Sequence, residues 1–203
     1  MIHAYKDNEI ETIQNTLAEM FELAVLNEQL DIDVFANLFA NSKIGAAFEM
    51  NDPVIVLGKS SNELLALLLN TDDVDDLLSE FASPEYWVGW VLGYAQVSLQ
   101  KSYKTLIKVF PCSELLKYYF PYHEMDINHI IDVYKEKLSK YSPLKEARER
   151  IGISQSELAL LANVPIRNIR AYEQNKLDIR KAQADTVLAL AKALRVTVEY
   201  LIY

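Results

Sequence analysis

Cysteine, proline and glycine are scarce in this chain of 203 residues. The single cysteine, Cys112, excludes a disulfide framework within the chain. Five glycines and six prolines, together with 51% hydrophobic residues, are typical of a globular protein that folds around a core. The length is sufficient for one large domain or for two small ones.

The sequence also lacks a long hydrophobic run. Its longest nearly apolar stretch covers residues 86–97, which is 12 residues, whereas a membrane-spanning helix needs about 20. The first ten residues, MIHAYKDNEI, lack the basic and apolar blocks of a secretory signal. We therefore expect a protein that spans no membrane and is located in the cytoplasm.

Arginine is absent from the first 142 residues, and this absence divides the chain. Residues 1–142 contain 10 Lys and 22 Asp or Glu, which gives a formal charge of −12. Residues 143–203 contain all six arginines and four lysines against seven acidic residues, which gives +3. The overall charge of −9 therefore belongs to the N-terminal part, and the two parts should have different partners.

Apolar residues recur at helical spacing along almost the whole chain, and no segment shows the convincing alternation of a strand. The sequence therefore predicts an all-α protein. A stripe of apolar residues predicts a first helix of about 20 residues. The stripe consists of Ile10, Ile13, Leu17, Met20, Phe21 and Ala24.

Capping residues predict where further helices begin. Asp33 is a candidate cap for a second helix, Ser60 and Glu63 have the spacing of a capping box, and Ser83-Pro84 is a strong helix start. Residues 53–57 are interpreted as a loop, because a lone strand there would lack a pairing partner. Later helices are expected over residues 104–109, 114–119 and 126–139.

A short junction at residues 140–142 predicts two domains. The first, residues 1–141, is an acidic all-helical domain for partner or effector binding or for oligomerisation. The second covers residues 142–203. Within the first domain, the acidic run at residues 72–76 is interpreted as a solvated helix face, and binding of a cation or a basic partner is the alternative.

Trp87, Trp90 and Tyr94 lie on one face of the helix that follows Ser83. Within this helix Gly89 and Gly93 each cost about 1 kcal/mol relative to alanine, so either another helix or a bound molecule must pack closely there. We interpret the three aromatic residues as core of the N-terminal domain. A partner or effector site is the alternative.

From residue 142 onward, helix starts and stops follow one another closely. Ser142-Pro143 starts a helix that Gly152 ends, and Ser154 with Glu157 forms a capping box for the next one. Asn175 can adopt the left-handed backbone that ends a third helix. The predicted helices cover residues 143–151, 155–162, 166–174, 182–194 and 197–203.

The segment SQSELALLANVPIRNIRAYEQNK, followed by TVLALAKALRVTVEYLI, resembles the five-helix DNA-binding domain of the phage-repressor, or Xre-like, helix-turn-helix family. The resemblance covers residues 143–203. Asn163 and Asn175 stand where glycine is usual in that family, Pro165 replaces the usual cap of the third helix, and Arg195 occupies another common glycine position. The resemblance implies a transcriptional regulator that binds DNA through its third helix.

The pattern of the third helix supports the same interpretation. Val164, Ile169 and Tyr172 occupy inward positions, which leaves an outward face of mixed amides, arginines and small apolar residues suited to base edges. By resemblance, the base-edge positions are Ile166, Arg167 and Ala171. The positions near phosphates are Gln155, Asn168, Gln174 and Lys176, and Arg170 could serve either way. Arg180 and Lys181, at the start of the fourth helix, could also touch the DNA backbone.

The resemblance also implies partners. Members of the family usually bind two half-sites of double-stranded operator DNA as dimers, so we expect a homodimer. Leu160, on the outward side of the second helix, is a candidate contact to the N-terminal domain or to a second subunit, and partial burial in an ordinary fold is the alternative. The whole-chain organisation resembles bacterial antitoxins and phage-type regulators, whose other domain binds a protein such as a cognate toxin.

We find no set of residues for an enzyme and no cofactor site. A nucleophile, a base and an oxyanion donor cannot be assembled from the sequence. His123-Glu124 and His129 do not have the spacing of a zinc motif, and Cys112 is interpreted as structural.

The function favoured is therefore that of a DNA-binding regulator. The alternative is a protein-binding or small-molecule-sensing module in which the helix-turn-helix is only a scaffold.

Overall fold

The computed structural model describes residues 7–72 and 83–202. In these ranges all regular structure is helical and there is no strand, which confirms the all-α prediction. No helix among the described residues is long and apolar enough to cross a bilayer. Most of the acidic run, residues 73–76, lies outside the described residues.

The chain divides into two compact units, Met1–Lys135 and Glu136–Tyr203, here called the N-terminal and C-terminal units. The N-terminal unit contains α1 (Asp7–Glu22), which runs into a π-helical turn (Leu23–Asn27), then α2 (Ile32–Ala40), α3 (Lys43–Glu49), α4 (Pro53–Val56), α5 (Ser61–Leu69), α6 (Pro84–Leu99), α7 (Tyr103–Val109), α8 (Cys112–Leu116), α9 (Tyr119–Tyr122) and the first part of α10 (Ile127–Lys140). The division lies inside α10, a few residues before the junction predicted from the sequence.

The capping signals located most helix starts correctly. Ser60 and Glu63 form the predicted capping box, and the hydroxyl of Ser83 accepts a hydrogen bond from the backbone N–H of Tyr86. One cap was misplaced, because the carboxylate of Asp31, and not that of Asp33, accepts from the first N–H groups of α2. The aspartate that precedes a helix by one residue has the extended backbone that capping requires.

Two other expectations for the N-terminal unit are wrong. Residues 53–57 are not simply a loop, because Asp52 caps the short helix α4 and Pro53 occupies its first position. The helix expected over residues 114–119 is interrupted, since α8 ends at Leu116 and α9 begins at Tyr119. Within α9 the backbone of Phe120 leaves the helical region (φ −92°, ψ 128°), as expected of a residue that precedes proline.

Part of the negative charge of this unit serves to join helices. The Asp33 carboxylate accepts a hydrogen bond from the N–H of Ser113 in α8, and Glu49 accepts one from Tyr103 at the start of α7. Buried Glu22 accepts one from Ser83, the cap of α6. A carboxylate is favourable at a helix N-terminus, where N–H groups lack partners, so these acids stabilise tertiary contacts.

The closest helix packing is between α1 and α6. The predicted apolar stripe is buried from Ile13 in α1 to Ala24 in the π-helical turn, whereas Ile10 is half-buried. The backbone of α1 faces the two glycines of α6. A Cβ atom on Gly89 would lie 2.6 Å from the backbone oxygen of Leu17, and one on Gly93 would lie 3.1 Å from the Cα of Gln14. Another helix, and not a bound molecule, therefore accounts for the glycines.

We predict that Gly89→Ala destabilises the N-terminal unit by about 1–3 kcal/mol, because the added methyl group meets backbone that cannot rotate away. Gly93→Ala should cost less, since its closest contact is longer. Ser98→Ala, at an exposed position of the same helix, controls for the higher helix propensity of alanine. Urea unfolding followed by the fluorescence of Trp87 and Trp90 measures the change. A Gly89→Ala variant as stable as Ser98→Ala would contradict the prediction.

Candidate nucleic-acid interface

The described residues of the C-terminal unit form five further helices and one 3₁₀ turn. They are α11 (Pro143–Arg150), α12 (Gln155–Ala162), α13 (Ile166–Glu173), the 3₁₀ turn (Ile179–Lys181), α14 (Ala184–Leu194) and α15 (Val198–Ile202). Arg180 and Lys181 therefore lie in the turn before the fourth helix and not at its start. The Asp178 side chain caps this turn, and the extended backbone of Ala182 separates the turn from α14.

Local signals define the ends of these helices. The Ser142 hydroxyl caps α11, and Ser154 with Glu157 forms the capping box of α12. Gly152 has φ +73°, and the left-handed backbone predicted at Asn175 is confirmed, with φ 53°. Asn163 and Arg195, at the other usual glycine positions of the family, are left-handed too, with φ 51° and 55°. Asparagine tolerates this conformation better than other non-glycine residues, so the module keeps its turns without the usual glycines.

The core of the unit orients α13. Val164, Ile169 and Tyr172 are buried, as the sequence pattern predicted, and they pack in one cluster with residues of α11, α12 and α14. Pro165 precedes α13 without a side-chain cap. The inward side of α13 is thus fixed by apolar burial, and its opposite side faces solvent.

The outward side of α13 carries the predicted DNA-binding residues. Arg167, Arg170 and Gln174 are exposed and share one face, because they are separated by three and four positions. Ile166, Asn168 and Ala171 are half-buried, so they offer only part of their surface, and Lys176 is exposed just after the helix. Within the described part of the chain, no side-chain hydrogen bond or salt bridge engages Arg167, Arg170 or Lys176.

A buried carboxylate lies at the end of the same helix. Glu173 accepts two hydrogen bonds from Arg148 of α11, from Nε to Oε1 at 2.6 Å and from Nη2 to Oε2 at 2.9 Å. The amide of Gln155, at the start of α12, donates to Oε2 at 2.8 Å, and Arg148 also donates to the backbone oxygen of Ile153. One carboxylate thus joins α11, α12 and α13.

These contacts determine the charge of the network. Burial raises the pKa of Glu173, but the hydrogen bonds from Arg148 and Gln155 and the guanidinium charge outweigh it, so the net pKa is lowered. The hydrogen bond to Glu173 raises the pKa of Arg148. The only acidic residue of α13 is therefore ionised but neutralised on the inner side, and the outward side remains positive.

The network also defines what Gln155 can do. Its sequence-predicted role near a phosphate is compatible with this geometry, because a side-chain amide has two N–H groups and Glu173 takes one. Sequence reasoning missed the roles of Arg148 and Glu173, which lie 25 residues apart. The sequence did contain a signal for this buried network, because Glu173 is an acidic residue at the end of a third helix that is otherwise apolar, polar or basic.

A second fixed point follows α13. The side-chain amide of Asn175 donates to the backbone oxygens of Ser139 and Tyr141, both at 2.9 Å. The Tyr141 hydroxyl in turn donates to Glu146 of α11 at 3.0 Å. Asn175 therefore ties the segment before α11 to the loop after α13. That loop also contains Gln174 and Lys176.

The other arginines of the unit are mostly engaged. Arg150 lies over the ring of Tyr200, and Arg180 forms two hydrogen bonds with the carboxylate of Asp178, at 2.9 and 2.8 Å. These partners reduce the availability of Arg180 for a phosphate. Arg167 and Arg170 are the arginines that α13 presents to solvent.

The aromatic residues predicted as core or partner site belong mainly to the core of the N-terminal unit. Trp87 is buried, and its ring meets the ring of Tyr119 edge to face at a centroid distance of 5.8 Å. Trp90 and Tyr94 are half-buried and pack against the same cluster. A role for these residues in binding a partner stays a prediction.

Leu160 projects from α12 into solvent, with 82% of its surface exposed, and its neighbour Leu161 is exposed too. Partial burial of Leu160, one of the two sequence-based alternatives, is therefore wrong.

Cys112 is completely buried in α8, and burial raises the pKa of its thiol far above the usual range, which supports a structural role. Among the described residues, no group of His, Cys, Asp and Glu side chains could hold a metal ion.

We predict that Glu173→Gln destabilises the C-terminal unit by about 3 kcal/mol, because the new amide donor faces the donors of Arg148 and Gln155. Folding lowers the pKa of Glu173. The ionised carboxylate therefore stabilises the folded unit fully above about pH 4.3, the pKa of glutamate in an unfolded chain, and this stabilisation is lost as the pH falls through the lower pKa of the folded state. NMR amide signals of α13 during urea titrations at several pH values measure both effects.

Glu149→Gln is the matched control for this prediction. Its carboxylate lies 3.5 Å from the same guanidinium but is exposed, so its loss should change the stability by less than about 1 kcal/mol. Equal effects of the two substitutions, or an unchanged acid dependence in Glu173→Gln, would show that the buried network does not stabilise the unit.

We predict that Asn175→Gly increases hydrogen exchange of the amides of residues 141–146 roughly five- to tenfold, because two hydrogen bonds worth about 1 kcal/mol in total are lost. Asn163→Gly is the control, since Asn163 has the same left-handed backbone but its side chain makes no hydrogen bond in the described structure. Faster exchange in both variants would indicate a general loosening instead of the specific contact.

Comparison with known proteins gives one family match in this unit. Residues 144–201 match a family model described as Helix-turn-helix. No curated protein and no solved structure matches the chain. The matched segment covers α11 to α15 almost completely, with the buried network and the exposed face of α13 inside it. The C-terminal unit is therefore a helix-turn-helix domain of the phage-repressor, or Xre-like, type, and the protein is a DNA-binding regulator.

Proposed function

We propose that this protein is a transcriptional repressor that binds a specific operator as a homodimer and that a protein partner binds its N-terminal unit. The observation that carries the DNA-binding part is the pair Arg167 and Arg170 on α13. Both are exposed and have no side-chain partner among the described residues, while the acid of the same helix is neutralised internally. A charged face without intramolecular partners is ready to bind phosphates and base edges.

The residues of α13 divide into two roles. Ile166, Arg167 and Ala171 are proposed to meet base edges in the major groove, where arginine binds guanine through two hydrogen bonds and small apolar groups contact the thymine methyl. The proposed phosphate contacts come from the surrounding positions, and Arg170 could join either group. They are Gln155, Asn168, Gln174 and Lys176.

Two copies of the chain are proposed to act together, because one small domain makes too few base contacts for strong specificity. A dimer reads two half-sites about one helical turn apart, which implies a palindromic operator. Leu160 and Leu161 are candidates for the dimer contact, because exposed large apolar residues side by side on one helix favour association.

The N-terminal unit is proposed to bind a protein, as the antitoxin of a toxin–antitoxin pair does. The support is charge, since residues 1–142 carry −12 and no arginine. Such a surface would repel DNA and attract a basic protein, so the two units can hold different partners at once.

We predict that Arg167→Ala weakens binding to the operator by about 1–3 kcal/mol and relaxes specificity at one base pair of each half-site. The measurement is a fluorescence-anisotropy titration with DNA from the protein's own promoter and with single-base variants of it. Lys192→Ala, an exposed charge on α14, controls for the loss of positive charge alone.

Lys176→Ala should behave differently, because a phosphate contact carries no sequence information. It should weaken binding to all sequences alike and reduce the slope of log K against log salt concentration by about 1. Wild-type protein that binds promoter DNA no better than random DNA would refute the proposed repressor.

A further inference from the structure

One aromatic side chain of the N-terminal unit does not follow the rule that governs the others. Phe120 is 72% exposed. The other phenylalanines that the structure describes are completely buried, and they are Phe21, Phe35, Phe39, Phe48 and Phe110. Exposing a phenylalanine forfeits roughly 1.5–3 kcal/mol of burial, so its position needs a reason other than folding.

The exposed ring is held in place. It meets the ring of Tyr119 edge to face at 4.9 Å and that of His123 at 4.7 Å. The rings of Tyr119 and His123 are stacked 4.1 Å apart, and the Nδ1 of His123 lies 2.9 Å from the backbone oxygen of Tyr119. Because Tyr119 also contacts buried Trp87, the exposed ring is connected to the core.

The residues that follow Phe120 in the sequence are apolar and acidic. Pro121 and Met125 are also exposed, and together with Phe120 they form what we call the aromatic corner. Residues 118–131 contain two acids, Glu124 and Asp126, and neither lysine nor arginine. The Glu124 side chain is 75% exposed. An apolar centre with a charged rim is the composition of a protein-binding surface.

We propose that the aromatic corner is the surface by which the N-terminal unit binds a basic protein, whose apolar pocket takes the Phe120 ring and whose Lys or Arg side chains face Glu124 and Asp126. The inference rests on the protein-binding part of the proposed function and specifies its site. A preorganised aromatic ring on a rigid support is typical of a binding hot spot, because little side-chain entropy is lost on association.

Charge selects this partner over two others. A second copy of the chain would bring two acidic surfaces together, which opposes association. Nucleic acid would place phosphates near Glu124 and Asp126, within residues 1–142, whose formal charge is −12. A protein with a basic rim around an apolar pocket satisfies both the ring and the carboxylates.

The first experiment identifies what touches the ring in the host cell. The full-length protein carries the photoreactive residue p-benzoyl-phenylalanine at position 120, and a second version carries it at position 54. Val54 is the matched control because it belongs to the same unit and is 71% exposed. We expect a cross-link to one basic protein from position 120 and not from position 54. Cross-links to a second copy or to the C-terminal unit, or none above the control, would overturn the proposal.

The second experiment measures affinity for the cross-linked protein, purified separately. Phe120→Ala should weaken binding by about 30-fold or more, whereas Val54→Ala should change it less than twofold. Glu124→Lys should also weaken binding, mainly by slowing association. The association rate of this variant should fall less steeply with added salt than that of the wild type. An affinity unchanged by Phe120→Ala would refute the site, even where the partner is basic.

Operator binding by the same variants separates this inference from the repressor function. Phe120→Ala and Glu124→Lys should bind promoter DNA within twofold of wild type, since the aromatic corner lies outside the helix-turn-helix domain. Loss of partner binding with intact operator binding supports the surface. If wild-type protein fails to bind the operator, the repressor function is rejected. The aromatic corner is then still tested by the measured affinities for the partner.

Discussion

A carboxylate buried in a protein must be matched by donors, or it costs several kcal/mol. In the C-terminal unit that condition is met beside the face that we propose binds DNA, because Glu173 of α13 is matched by Arg148 from α11 and by Gln155 from α12. The observed arrangement of the three helices satisfies the carboxylate. In this arrangement Arg167 and Arg170 are exposed, so the buried network and the apolar core together leave a positive outward face on α13.

Negative charge has two uses in the N-terminal unit. Some acids have a structural role, since they accept hydrogen bonds from backbone N–H groups at the starts of other helices. These acids are Glu22, Asp33 and Glu49. Others, such as Glu124, remain exposed and give the surface its field. A net charge read from composition counts both kinds, and only the exposed kind can attract a partner.

Much of the fold could be predicted because its signals are local. A capping box such as Ser154 with Glu157 needs only neighbouring residues, and the left-handed turns at Asn163 and Asn175 follow from the tolerance of asparagine for that backbone. The signals failed where two acids competed for one helix start. Asp31 caps α2 because it precedes the helix and has extended backbone, whereas Asp33 lies in the first turn and accepts a hydrogen bond from Ser113 of α8.

The sequence by itself determined the all-helical class, the helix-turn-helix domain and the outward face of its third helix, because periodicity and capping act within a few residues. Only the tertiary structure decided which distant side chains pair and which aromatic residues remain exposed. Trp87 became core and Phe120 became surface, although both lie in aromatic-rich segments. Burial depends on what packs against a residue from the rest of the chain, and spacing along the sequence does not contain that information.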